Sequence, residues 1–154
     1  MLLKLAAVAA LLALAGCGAS AKQAATTTTS GLPPGCTVPE VDTIVTRFLA
    51  MPDLAPAGTF QVYAAHDGDG RRFVARNRAK ALAHLRARLA LGEVDRLIEL
   101  RVLAQDVNYA RITFRLTRYA PDFRHRGIHG RLAQGGGTID CAHGKVAGWV
   151  MRGP

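Results

Sequence analysis

The chain has 154 residues, a formal net charge of +9 and 49% hydrophobic residues. This length allows one domain with its own hydrophobic core and leaves no room for two. Arginines carry most of the positive charge and are scattered, not gathered in a basic run with interleaved aromatic side chains, which argues against a nucleic-acid partner. The charge predicts either attraction to an anionic surface or a solvated arginine-rich face.

The N-terminus has the pattern of an export signal. A single lysine precedes the apolar stretch Leu5–Ala15, which is shorter than the roughly 20 residues that a membrane-spanning helix needs. The four residues Leu14–Cys17 resemble the lipobox of bacterial lipoproteins, in which the cysteine carries a diacylglycerol. We therefore predict a lipoprotein signal peptide at 1–16, lipid on Cys17, and anchoring to the extracytoplasmic face of the cell membrane. The alternative is an ordinary secretory signal with an incidental cysteine.

Residues 17–35 comprise the lipidated cysteine and a stretch of small and polar residues, including four consecutive threonines. Such a stretch cannot bury a core, so we predict a disordered tether with a reach of roughly 25 Å. The domain would then occupy residues 36–154.

Three cysteines are present. Lipid on Cys17 leaves Cys36 and Cys141, an even pair in an oxidising compartment, and favours a disulfide between them. The alternative is two separate buried thiols.

The hydrophobic periodicity predicts two helices followed by a strand-rich half. In helix 78–91, leucines face the core, whereas Lys80, His84 and Arg88 are expected to face water. The fold class is α+β, with N-terminal helices packed on a curved antiparallel sheet. The predicted elements are helices Pro39–Met51 and Arg78–Leu91 and strands Thr59–Ala65, Arg72–Val74, Asp95–Gln105, Tyr109–Tyr119, Arg131–Cys141 and Lys145–Met151.

Two groups of residues could suggest a metal. The run Asp67-Gly68-Asp69-Gly70 resembles the start of a calcium loop but lacks the later carboxylates, so a hairpin turn is favoured. His125, His129 and His143 fall in predicted loops, where solvated histidines are far commoner than zinc ligands. We predict no metal and no cofactor.

The segment from Arg78 to Glu93, the two long strands, and the final hairpin Gly135–Met151 together resemble the nuclear transport factor two-like superfamily, also called SnoaL-like or cystatin-like cone folds. The resemblance covers roughly Val38–Arg152. It implies a cone-shaped α+β domain with a pocket between helices and sheet. The superfamily includes isomerases, cyclases, dehydratases and binding modules, so it implies fold more strongly than activity.

Acid–base catalysis in such a pocket needs a carboxylate, or an Asp–His pair, on an inward strand position. The alternation of the two long strands places only apolar side chains there, namely Ile98, Leu100, Val102, Ala104, Ala110, Ile112, Phe114 and Leu116. We therefore predict no catalytic residue, with Tyr63, Phe114 and Trp149 as candidates for lining a pocket or an interface.

The sequence thus favours a non-catalytic accessory domain with a small apolar cavity, binding an unknown small ligand or an envelope protein. The alternative is an isomerase- or dehydratase-type enzyme. A third class is a purely structural or partner-binding envelope protein whose cavity is filled by side chains. The outward strand positions Arg111, Thr113, Arg115 and Thr117 form either a solvated surface or an interface. The resemblance implies that a homodimer can form through this face.

Overall fold

The computed structural model describes residues 35–67 and 70–153. The predicted signal peptide, Cys17 and the tether up to residue 34 lie outside these residues. Within the part that is described, no helix is long and apolar enough to cross a membrane.

Helix α1 spans Val38–Ala50 and begins at a capping box. The Thr37 hydroxyl accepts a hydrogen bond from the backbone N–H of Glu40, whose carboxylate accepts one from the backbone N–H of Thr37. This reciprocal pair satisfies donors that a helix start leaves free. One face of α1 is buried, comprising Val41, Ile44, Val45 and Phe48.

Helix α2 spans Arg78–Ala90, with the Asn77 side chain as its N-cap. Only Ala81 and Leu82 of this helix are fully buried. A single helical turn, α3, covers Pro121–Arg124 within a segment that the sequence predicts as a loop.

Six strands form one sheet in the order β2-β1-β6-β5-β4-β3. Every pair is antiparallel except β1 and β6, which run parallel, so the prediction of a wholly antiparallel sheet is wrong for this pair. No local turn signal could indicate it, because the two strands are far apart in the sequence. The strands are β1 Val62–His66, β2 Arg72–Ala75, β3 Val94–Gln105, β4 Tyr109–Tyr119, β5 Arg131–Asp140 and β6 Lys145–Arg152.

The two long helices pack on the same face of this sheet, and the α+β class is confirmed. At the centre of the core, the Trp149 ring stacks on Phe114 with 3.7 Å between centroids and contacts Phe48 at 5.0 Å. Trp149 is 1% exposed and Phe114 is 2% exposed.

The predicted disulfide forms between Cys36 and Cys141, whose Cα atoms are 5.1 Å apart. It joins residues 105 positions apart, so it ties the start of α1 to the end of β5. The entry of the chain into the domain is thereby linked to the last hairpin.

A β-bulge in β3 changes which side chains face the core. Leu97 pairs with Leu116, but the next paired residue is Glu99, so Ile98 is an extra residue with 52% of its surface exposed. Before the bulge Asp95 and Leu97 face the core, and after it Leu100 and Val102 do. The prediction that Ile98 and Ala104 face inward is wrong, because Ile98 is the extra residue of this bulge and a second register shift between Val102 and Ala104 leaves Ala104 exposed.

Candidate functional site

The inner face of the sheet carries a buried arginine. Arg118 on β4 is 2% exposed and stands directly opposite Asp95 on β3. Its Nε and Nη2 donate hydrogen bonds of 2.8 and 2.7 Å to the two carboxylate oxygens of Asp95, and its Nη1 donates one of 2.7 Å to the carbonyl of His66. This forked geometry is the strong form of an arginine–carboxylate pair.

A second carboxylate joins the same group. Glu93 is 7% exposed, and its Oε1 lies 3.3 Å from Nη2 of Arg118. Its Oε2 accepts hydrogen bonds of 2.9 and 2.6 Å from Nε and Nη2 of Arg88 on α2. Nη2 of Arg88 also lies 3.4 Å from a carboxylate oxygen of Asp122 in α3. The pairs link both long strands to α2 and to α3.

His84 and Arg88 of α2 turn toward this cluster, and the side chain of each is 14% exposed. The expectation that they face water is wrong. The His84 ring stacks on Phe73 with 3.7 Å between centroids, and its Nε2 lies 3.1 Å from Oδ1 of Asp67. Carboxylates buried beneath the helix need cationic or hydrogen-bonding partners, which explains why these two polar side chains point inward.

A small cavity lies beside the cluster, between helices and sheet. Its volume is about 30 Å³, enough for roughly one or two water molecules. Tyr63 and Trp149 line it, as do Arg118, Glu93 and Asp95. The predicted small cavity is thus lined by charged as well as apolar side chains, and it is too small for an organic ligand. Phe114, the third residue predicted to line a pocket or an interface, is instead stacked on Trp149 in the core.

Burial sets the direction in which the pKa values of two groups at the cluster, Glu93 and Tyr63, are shifted. It raises the pKa of Glu93, against the opposing effect of Arg118 and Arg88. It also raises the pKa of the Tyr63 hydroxyl well above its ordinary value. A general base must offer a lone pair to a substrate proton, whereas the carboxylate oxygens of Glu93 and Asp95 face arginine nitrogens. The cluster as it stands holds structural elements together.

None of these charged residues is predicted from the sequence to lie in a buried cluster, although one signal points to Arg118. The inward alternation of β4 through Ile112, Phe114 and Leu116 continues to Arg118 two residues further on. Asp95 carried no such signal, because the bulge at Ile98 changes which side chains of β3 face the core.

An Asp–His pair does occur, at the turn between β5 and β6. Nδ1 of His143 lies 2.7 Å from Oδ2 of Asp140, and Asp140 is 2% exposed. Burial raises the pKa of Asp140, but hydrogen bonds from Thr59 and His143 outweigh it and lower the pKa overall. This pair does not line the cavity beside Arg118.

One of the residues considered as metal ligands, Asp69, lies outside the described residues. Among residues 35–67 and 70–153, no group of three or more His, Cys, Asp or Glu side chains could hold a metal ion. Asp67 and Gly70 lie between β1 and β2, where the backbone N–H of Asp67 donates a hydrogen bond to the carbonyl of Arg71 and that of Gly70 donates one to the carbonyl of Asp67.

The opposite face of the sheet is open. Five strands contribute to one depression of about 1060 Å³. Four arginines and one glutamate border it, and its floor is made of small side chains. The charged residues are Glu99, Arg101, Arg111, Arg115 and Arg152, and the floor includes Thr113, Gly136, Thr138 and Gly148.

Comparisons with known proteins give one structural similarity. No family model and no curated protein sequence matches the chain. A crystal structure of a putative polyketide cyclase from Xanthomonas campestris is similar with 15% sequence identity and a TM-score of 0.44. The similarity covers 75% of this chain and 91% of that one. At this identity and score, it supports no assignment of activity.

Proposed function

We propose that this chain is a lipid-tethered, extracytoplasmic accessory domain of the nuclear transport factor two-like type that binds a partner through the open face of its sheet and not in its interior. The contrast between the two faces carries the proposal. The interior cavity measures about 30 Å³, whereas the depression on the open face measures about 1060 Å³.

The interior is occupied by its own ion pairs. Arg118 binds both carboxylate oxygens of Asp95, and Arg88 and Arg118 approach opposite oxygens of Glu93. Removing one partner from such a buried group is costly, so a substrate would have to replace an arginine at the same moment that it entered. Binding on the open face needs no such exchange.

The tether and the location rest on the sequence. Leu14–Cys17 has the lipobox pattern, and Cys17 is followed by a polar stretch that suits a tether. The Cys36–Cys141 disulfide supports an oxidising compartment, because stable disulfides are rare in the cytosol.

The binding function can be tested by photo-crosslinking in intact cells. A benzophenone amino acid replaces Thr113 on the floor of the open face or, as the matched control, Ala83 on the exposed side of α2. We expect a discrete cross-linked species from position 113 and none from position 83. Cross-linking at neither position, or equally at both, would contradict the proposal.

The tether can be tested separately. A Cys17→Ser variant should no longer incorporate labelled fatty acid and should leave the membrane fraction, because the thiol would be the site of lipid attachment. Unchanged labelling and fractionation would show that Cys17 carries no lipid.

The alternative is an isomerase- or dehydratase-type enzyme. One observation favours it: burial raises the pKa of Glu93, and this carboxylate borders the cavity together with Tyr63. This alternative requires that Glu93→Gln abolishes turnover of a substrate while the domain stays folded. The proposed function requires that Glu93→Gln leaves the Thr113 cross-link unchanged.

A further inference from the structure

We infer that the open sheet face binds an acidic segment of a partner protein. The inference rests on the proposed function, since it names the chemistry of the partner that this face takes.

The charge balance of the face is the first argument. Glu99 is shared between two arginines, with its carboxylate oxygens 2.5 Å from Nε of Arg101 and 3.6 Å from Nη1 of Arg115. The side chains of Arg111 and Arg152 make no hydrogen bond or ion pair with any residue in the described part of the chain, and both residues are exposed. The face therefore carries an excess of positive charge that anionic groups would neutralise.

The spacing of these arginines is the second argument. Arg111 and Arg115 lie four residues apart on β4, about 14 Å at the usual rise of a strand. Arg152 lies two strands across the sheet from Arg115, about 10 Å at the usual strand spacing. The three arginines are thus spread over an area of the sheet that several residues of a bound polypeptide would cover.

The floor between the arginines is the third argument. A Cβ atom on Gly135 would lie 2.7 Å from the Phe114 ring, so packing of the core explains that glycine. A Cβ atom on Gly136 would point to the open face and meet only the carbonyl oxygen of Ile112, at 3.1 Å. A glycine inside a strand often marks the place where another backbone approaches closely.

The composition of the face favours a protein over other anions. Besides arginines, it offers the hydroxyl groups of Thr113 and Thr138 and the side chain of Leu103, which is 64% exposed. Arginines combined with apolar and neutral polar groups are typical of protein interfaces.

A second copy of this chain is a poor occupant of the face. A twofold dimer places the same patch of each copy against the other, so both copies would bring the same excess of positive charge to the interface. Like charges directly opposed across an interface are strongly unfavourable.

The experiment uses the full-length protein in detergent micelles and fluorescence anisotropy. The probe is a labelled 16-residue alanine-based peptide with glutamate at every fourth position. The control peptide carries glutamine at those positions. We expect the glutamate peptide to bind at least about tenfold more tightly than the glutamine peptide, a difference that decreases as salt is added.

The matched variants decide where the peptide binds. The Arg111→Gln/Arg152→Gln variant should weaken binding at least about tenfold. The Arg86→Gln/Arg126→Gln variant, which removes the same charge from exposed positions not lining the depression, should change it less than about twofold. Near-ultraviolet circular dichroism and Trp149 fluorescence check that each variant is folded. Equal weakening by both pairs, or by neither, overturns the inference.

Two further probes separate the sources of negative charge. Phosphatidylglycerol vesicles and inorganic polyphosphate are titrated against the peptide complex. If either binds more tightly than the peptide and depends on Arg111 and Arg152, the partner is not an acidic protein segment and the inference fails, while binding at this face stands. If the Thr113 cross-link is absent in cells, the proposed function itself fails.

Discussion

Arg118 on β4 and Asp95 on β3 face each other across neighbouring strands and share two hydrogen bonds, of 2.8 and 2.7 Å, inside the protein. The pair faces the helices and lies between them and the sheet. Because Arg118 also contacts Glu93 and the carbonyl of His66, one side chain joins both long strands to the β1–β2 hairpin.

Removal of this arginine should be costly. In an Arg118→Met variant, Asp95 and Glu93 lose the central cation that compensates for their burial, and we expect the free energy of unfolding to fall by about 3–5 kcal/mol. Urea unfolding followed by the fluorescence of Trp149, the single tryptophan of the chain, measures the loss. The exposed Arg86→Met variant serves as the control and should change stability by less than about 0.5 kcal/mol. Similar losses in the two variants would contradict a structural role for the cluster.

His84 should make stability depend on pH. Burial is the main cause that lowers its pKa below the ordinary value of 6.5, and the nearby Arg88 and Arg118 act in the same direction. Below pH 6.5 the unfolded chain therefore binds a proton that the folded protein does not, so the free energy of unfolding falls as the pH drops from 6.5 toward the folded pKa. The slope is at most about 1.4 kcal/mol per pH unit, the limit for one proton.

A His84→Gln variant should flatten this dependence, whereas His125→Gln, at an exposed position, should leave it unchanged. Urea unfolding at several pH values between 5 and 7.5 gives the free energy of unfolding of each protein. The difference in slope between the variant and the parent protein is the contribution of His84, separate from that of the carboxylates. An unchanged slope in His84→Gln would show that another group is responsible.

Gly135 should tolerate no side chain. A Cβ atom there would clash with the carbonyl oxygen of Val150 and lie 2.7 Å from the Phe114 ring, so Gly135→Ala should cost about 1–3 kcal/mol through overpacking. Gly58→Ala is the matched control, because nothing lies within 4 Å of a Cβ at that position. Thermal unfolding of both variants checks the contrast, and a neutral Gly135→Ala would mean that β5 and β6 pack less closely than described.

Loss of the disulfide should weaken the whole domain. It closes a loop of 105 residues, and replacing both Cys36 and Cys141 with serine should lower the free energy of unfolding by about 2–4 kcal/mol. Titration of thiols in the unfolded, unreduced protein is the direct test of the bond. Two reactive thiols from these positions would show that it does not form.

The sequence predicted the elements well and the interior poorly, for a physical reason. The strict alternation of Tyr109–Tyr119 marks β4 with the same bounds as in the structure, because one of its faces is buried and the other is not. The bulge at Ile98 shifts the facing of β3 by one residue, and no pattern in a single sequence indicates it. His84 and Arg88 look like solvent-facing residues until Glu93 and Asp67 are known to lie beneath them.

The disulfide also determines how a mechanical load would enter the domain. If the chain is pulled from its N-terminal side, the force reaches Cys36 and passes through the bond to Cys141, at the end of β5. This strand lies in the middle of the sheet, between β6 and β4. Force would therefore reach the most extensively paired strands without first passing through α1, so the helix and its packing would be shielded from tension.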